Sequence, residues 1–238
     1  MYSAPMNILA LDTSTSLASV AITSSETVIA ESAFTCNRSL SARLVPEIEH
    51  LLGFAGLAIN DIDLFAASIG PGSFTGVRCG VATVQGLALA TGKPCAGFSS
   101  LAMLAMNFTF TTHPVCALLD ARKSEVYAGL YDCSAATPTP LLANCVMPIE
   151  QFLRLIPAAT DRPVVFAGEG AQRYRETILS HRGELALMAP FSHNIGRAAH
   201  GAMLALQLFH NGKAIEPAQL LPDYIRASEA ELARRARS

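Results

Sequence analysis

One pattern occurs twice in this chain and restricts its fold more than any other feature. Three strand-like apolar runs, at residues 7–12, 17–23 and 28–34, precede a helical stretch, a short buried strand at 64–69 and a longer helix. The order then returns: runs at 115–120, 125–131 and 141–146, a short helix at 149–155, a strand at 164–167 and a helix near 171–179. Alternating or short continuous apolar runs mark the strands, and three- and four-residue apolar spacing marks the helices. In each copy the first strand ends on an acid at the turn into the second, in Leu9-Ala10-Leu11-Asp12-Thr13 and in Ala117-Leu118-Leu119-Asp120-Ala121. One β-β-β-α-β-α order can arise by chance, but two in tandem indicate a duplicated α/β unit and two lobes. The first lobe takes residues 1–104 with 191–238, and the smaller second lobe takes 105–190. Within 191–238 the pattern predicts a helix at about 194–209 stopped by Asn211-Gly212, then an extended tract at 217–226. Ser228-Glu229-Ala230-Glu231 next reads as a capping box opening a short basic helix.

The two helices of the first copy carry the most local information. Leu40, Leu44, Ile48, Leu51 and Leu52 share one face of the first, with Ser39 as its N-cap. Gly70-Pro71-Gly72 turns the chain into the second, at residues 73–90, which Gly92 and Pro94 end. A strand, a glycine-rich turn and a helix N-terminus can together hold an anion. Here no Gly-Lys-Ser/Thr follows, and the dinucleotide spacing is also absent. The tract therefore reads as a tight turn with Ser73 or Thr75 capping the helix.

That helix has two small-residue faces, Gly76/Gly80 and Ala82/Gly86/Ala90, and Arg78 is its only charged residue. Each such glycine weakens an isolated helix by up to about 1 kcal/mol, so close packing must offset the cost, against the lobe's own sheet or a partner. Charged residues are 15% of the chain and apolar residues 51%. Soluble domains average about 25% charged, so some apolar surface is expected at an interface. The residues assigned to it are Leu40, Leu44, Ile48, Gly76, Val77, Gly80, Val81 and Val84.

Several classes of function are disfavoured. A net charge of −2 and a pI near 6.3 give no broad electrostatic footprint for nucleic acid. Arg234, Arg235 and Arg237 form a basic C-terminal cluster, read as a solvated helix end, and a partner would supply most phosphate contacts. No apolar run has membrane-spanning length, and Asp12 interrupts Ile8-Leu9-Ala10-Leu11 without a basic start before it, so the expected compartment is the cytoplasm. Cys36, Cys79, Cys95, Cys116, Cys133 and Cys145 include no C-x-x-C pair and read as reduced thiols. His50, His113, His181, His193, His200 and His210 form no i, i+4 pair, and no Ser–His–acid set stands out. The expectation is a chain with no catalytic residue and no metal site. Asp12-Thr13-Ser14-Thr15-Ser16 remains open between a polar turn satisfying its own backbone and a remnant phosphate loop.

The stretch Ser68-Ile69-Gly70-Pro71-Gly72-Ser73-Phe74-Thr75-Gly76-Val77-Arg78, continuing through Gly86-Leu87-Ala88-Leu89-Ala90, is very similar to the signature of the TsaB family. Leu119-Asp120-Ala121-Arg122-Lys123-Ser124-Glu125-Val126-Tyr127 resembles it too, as do Gly168-Glu169-Gly170-Ala171 and Pro222-Asp223-Tyr224-Ile225-Arg226. The resemblance implies the actin, sugar-kinase and Hsp70 fold. It also implies a non-catalytic relative of TsaD, the subunit that transfers threonylcarbamoyl from an adenylate to the adenosine beside the anticodon of tRNA. TsaD and the ATPase TsaE are the implied partners, with tRNA reached only through the complex. Pairing is implied through the two helices as a four-helix bundle, and the same patch implies a homodimer of the free chain. Where TsaD carries two metal-binding histidines, the corresponding positions here hold Ser100 and Leu104. Neither suits a metal. No cofactor of its own is expected; Asp12, Thr13, Ser14 and Arg122 are the candidates for a nucleotide shared with the partner. An autonomous ATPase or kinase of the same fold is the alternative.

Overall fold

A computed structural model describes residues 5–35 and 40–226. Ser39, Cys36, the capping box at 228–231 and the cluster Arg234, Arg235 and Arg237 lie outside the described residues.

Two five-stranded sheets repeat one topology. The first contains β1 (Asn7–Asp12), β2 (Leu17–Ser24), β3 (Thr27–Thr35), β4 (Leu64–Gly70) and β5 (Cys95–Ser99), in the order β3-β2-β1-β4-β5. The second contains β6 (Val115–Asp120), β7 (Glu125–Asp132), β8 (Thr139–Pro148), β9 (Val164–Ala167) and β10 (Ala186–Met188), in the order β8-β7-β6-β9-β10. In both, the first three strands pair antiparallel and the last two join in parallel. The sequence pattern omits the fifth strand of each copy. β10 has three residues, too few to show a period, and β5 is five residues interrupted by Gly97.

Helices cover both faces of each sheet. They are α1 (Leu40–Ala55), α2 (Phe74–Thr91), α3 (Ser100–Ala105), α4 (Ile149–Ala159), α5 (Glu169–Arg173), α6 (Arg175–Arg182) and α7 (Ala198–His210). Successive residues of β1 point to opposite faces. Leu9 and Leu11 meet the α1/α2 side with Leu44, Ile48, Val77 and Val81, while Ile8 and Ala10 meet Ala198 and Ala202 of α7. β6 behaves alike: Cys116 and Leu118 face Phe152, Ile156 and Ile178 of α4 and α6, and Val115, Ala117 and Leu119 face Leu101 and Leu104 of α3. Central strands buried on both faces read as continuous apolar runs. They also absorb much of the chain's apolar content. The helix expected near 171–179 divides at Tyr174, whose backbone leaves the helical region at φ −104° and ψ 24°. α7 begins later than 194 because Phe191–His193 forms its own 3-10 turn and Arg197 is extended.

Candidate partner surface and interlobe cleft

α2 is set by its ends. The Ser73 hydroxyl accepts the Gly76 N–H at 3.2 Å, and Gly92 stops the helix in the left-handed conformation, at φ 66° and ψ 30°. Its inner face lies on the β1–β2 turn. A Cβ at Gly76 would stand 2.0 Å from the Thr13 carbonyl oxygen, and one at Gly80 2.4 Å from Thr13 Oγ1. Only glycine permits that approach. Thr13 Oγ1 donates to the Gly76 carbonyl at 2.7 Å, and the Ser73 N–H donates to the Ser14 carbonyl at 2.7 Å.

This packing corrects the partner surface read from sequence. Leu44, Ile48, Gly76, Val77, Gly80, Val81 and Val84 are buried inside the lobe, against β1, β2 and the hairpin; Leu40 is half-buried. The reason is the spacing of Val77, Val81, Val84 and Ala88, which marks the sheet-facing stripe and carries Gly76 and Gly80 with it. The other small face stays outside. Ala82, Gly86 and Ala90 are exposed, Leu89 is 64% exposed, and a Cβ at Gly86 would meet nothing within 4 Å. Beside α2, α1 exposes Val45 and Phe54. The large valines were the signal that could have separated the two faces from sequence.

The two acidic hairpins are treated differently. Asp12 is 1% exposed and accepts the Ser14 N–H at 3.0 Å. Burial pushes its carboxyl above the ordinary carboxylate range; the Ser14 and Ser68 hydroxyls nearby pull it back, although neither completes a hydrogen bond. Asp120 instead pairs with Arg173 at 2.9 Å and accepts the Arg122 N–H at 3.0 Å. Glu169 beside it is raised, first by burial and then by Asp120. The exposed Arg122 stands on a turn in which Arg122, Lys123 and Ser124 all have left-handed φ, at 61°, 52° and 61°. Between the hairpins runs a groove of about 1070 Å³ that Ser14, Gly72, Arg122 and Tyr127 help line. Thr13 and Ser14 thus share that groove with Arg122, but the Thr13 hydroxyl is already engaged by α2. Ser100 is buried and donates to the Pro71 carbonyl, and Leu104 is buried in the α3–β6 contact. Among the described residues no three His, Cys, Asp or Glu side chains cluster as a metal site.

A family model described as TsaD, tRNA N6-adenosine threonylcarbamoyltransferase, matches residues 28–234. The tRNA threonylcarbamoyladenosine biosynthesis protein TsaB of Bacillus subtilis is 32% identical over 229 residues, 95% of this chain and 96% of that protein. The chain belongs to the TsaB family. The TsaB of Escherichia coli is 40% identical over 128 residues, 53% of this chain and 55% of that protein. A crystal structure of a Pseudomonas aeruginosa protein, described as similar to the peptidase YeaZ, superposes with a TM-score of 0.80 at 32% identity. It covers 93% of this chain and all of that one. At 13% identity and a TM-score of 0.51, the ethanolamine utilization protein EutJ of Carboxydothermus hydrogenoformans shares the fold alone, covering 84% of this chain and 90% of its own. This TsaB-family chain therefore has the duplicated actin, sugar-kinase and Hsp70 architecture expected from its sequence, and the Bacillus subtilis and Escherichia coli relatives are named as proteins of tRNA threonylcarbamoyladenosine biosynthesis.

Proposed function

We propose that this chain is a non-catalytic partner subunit in the formation of N6-threonylcarbamoyladenosine beside the tRNA anticodon. It pairs with a TsaD-like transferase, is joined by a TsaE-like ATPase, and reaches tRNA only through that complex. The observation that carries this reading is the outer face of α2. Ala82, Gly86 and Ala90 leave a shallow apolar seam on which another helix backbone can lie closely, with Leu89 at its edge and α1 alongside. A seam of this kind is also self-complementary, so the free chain is expected to form a two-fold homodimer that competes with the heterodimer.

Catalytic silence is part of the proposal. The residues at the positions corresponding to TsaD's histidines are spent on packing: Ser100 on the Pro71 carbonyl and Leu104 on β6. Size-exclusion chromatography of the chain, alone and mixed with TsaD from its own organism, tests the assignment. Comigration with TsaD and loss of the homodimer peak are expected. Separate elution at micromolar concentrations, with ATP turnover by the chain alone, would favour the autonomous ATPase or kinase that the interlobe groove also accommodates.

A further inference from the structure

We infer that the segment following α7 is a strap that crosses the mouth of the interlobe cleft and sets the angle between the two lobes. Its first part is fixed to the first lobe. Ile215 exchanges two backbone hydrogen bonds with Cys95, each 2.8 Å, and Leu220 is buried in the core under α2. Gln85 of α2 donates to the carbonyls of Pro217 and Leu220, each at 3.0 Å. The Asp223 N–H then donates to the Ile69 carbonyl at 2.8 Å. The Tyr224 ring stacks on Phe74 with centroids 5.0 Å apart, and Arg78 Nε donates to its hydroxyl at 2.6 Å.

Two residues later the chain engages the other lobe. Arg226 Nη1 donates to the Ala121 carbonyl at 2.7 Å, and Nη2 pairs with the Glu125 carboxylate. Those two acceptors close the second hairpin, where the Ala121 N–H also donates to the Glu125 carbonyl at 3.0 Å. One guanidinium therefore joins the lobes and braces a turn whose three central residues are held in the costly left-handed region. A planar fork that donates to two fixed acceptors suits this role better than an ammonium.

Among the described residues, further cross-lobe hydrogen bonds include Gln207 Nε2 to Thr137 Oγ1 at 3.4 Å and a set near where the chain passes between the lobes. Asn144 Nδ2 donates to Ser99 Oγ at 3.0 Å, Asn107 to the His193 and Ile195 carbonyls, and the Gly168 N–H to Asn194 Oδ1 at 2.8 Å. With α3 packed on β6, they form the hinge end. Asp223, Tyr224 and Arg226 line the groove, so the Arg226–Glu125 pair spans the cleft itself and adds a restraint separate from those crossings.

The test uses the full-length chain with labels introduced by unnatural amino acids at the exposed positions Glu49 and Glu176, read by pulsed dipolar spectroscopy and amide exchange. Arg226→Ala should broaden the interlobe distance distribution and speed exchange of the 121–126 amides about tenfold, as loss of a charge-assisted bond implies. Arg226→Glu should broaden it further, and adding Glu125→Arg should narrow it again relative to that single reversal. A wild-type distribution and wild-type exchange in Arg226→Ala would overturn the strap. A swapped pair no narrower than Arg226→Glu alone would overturn the ion pair as its pin.

Discussion

The two halves of this chain fold alike on the inside and differ on the outside. Each places a glycine just after the strand parallel to its first strand and presses it onto that strand's end. A Cβ at Gly72 would stand 2.2 Å from the Ser14 carbonyl oxygen, and one at Gly168 2.2 Å from that of Leu118. Beyond the glycine the halves part. In the first half an uninterrupted 18-residue helix, α2, presents an outer face with one charge, Arg78. In the second half the helix breaks at Tyr174 and carries Glu169, Arg173, Arg175, Glu176 and Arg182. Duplication has kept the packing against the sheet, which the fold requires, and left the solvent side free to diverge. That bare face is the one assigned to a partner under the proposed function.

Substitutions at the matching glycines probe the shared interior and should have the largest effect. Gly72→Ala drives a methyl into the Ser14 carbonyl, and Gly168→Ala does the same at Leu118 while straining a backbone with φ of 104°. Each should cost about 3 kcal/mol or more, since neither neighbour is a flexible side-chain end. Chemical denaturation measures this; a loss confined to one half would mean the two glycine contacts are not equivalent.

The buried acid gives the next effect, and it depends on pH. Burial raises the Asp12 pKa, so the folded chain holds that proton more tightly than the unfolded chain does. Its contribution to stability is complete below the ordinary carboxylate pKa and is lost as pH rises through the folded value. Asp12→Asn keeps an acceptor for the Ser14 N–H and removes the charge. The variant should melt higher than wild type at neutral pH, and the two should converge as pH falls toward about 4. A constant difference across that range would locate the effect in packing instead. The smallest change is expected at Gly86→Ala, which should stabilise the isolated chain by about 1 kcal/mol because the methyl meets open space on an exposed helix. Thermal melts of that variant beside wild type check it; a destabilised chain would mean the outer face of α2 is not open.

Much of this fold is legible in the sequence because its central strands are buried on both sides and flanked by turn residues. Leu9 and Leu11 feed one core and Ile8 and Ala10 another, yet both sets appear as one apolar run. Ser73 as the α2 cap and Gly92 as its stop are equally local, so they too can be read directly. The candidate site was less legible. Small residues on two faces of α2 signal close approach without saying to what; the valine stripe beside Gly76 and Gly80 is the one local clue, and Thr13 lying under those glycines identifies the inner face. The Arg226–Glu125 bridge joins residues 101 positions apart, and no local pattern encodes it.

Whether the outer face of α2 receives a TsaD-like partner is decided by titrating that partner into the Gly86→Arg variant by calorimetry, with Gly86→Ala as a folded control. An unpaired cation in an apolar seam costs several kcal/mol, so the arginine variant should bind about a hundredfold more weakly or worse, with a melting temperature no lower than wild type. Wild-type affinity in a folded Gly86→Arg chain would place the partner elsewhere on the molecule and contradict the assignment of this face.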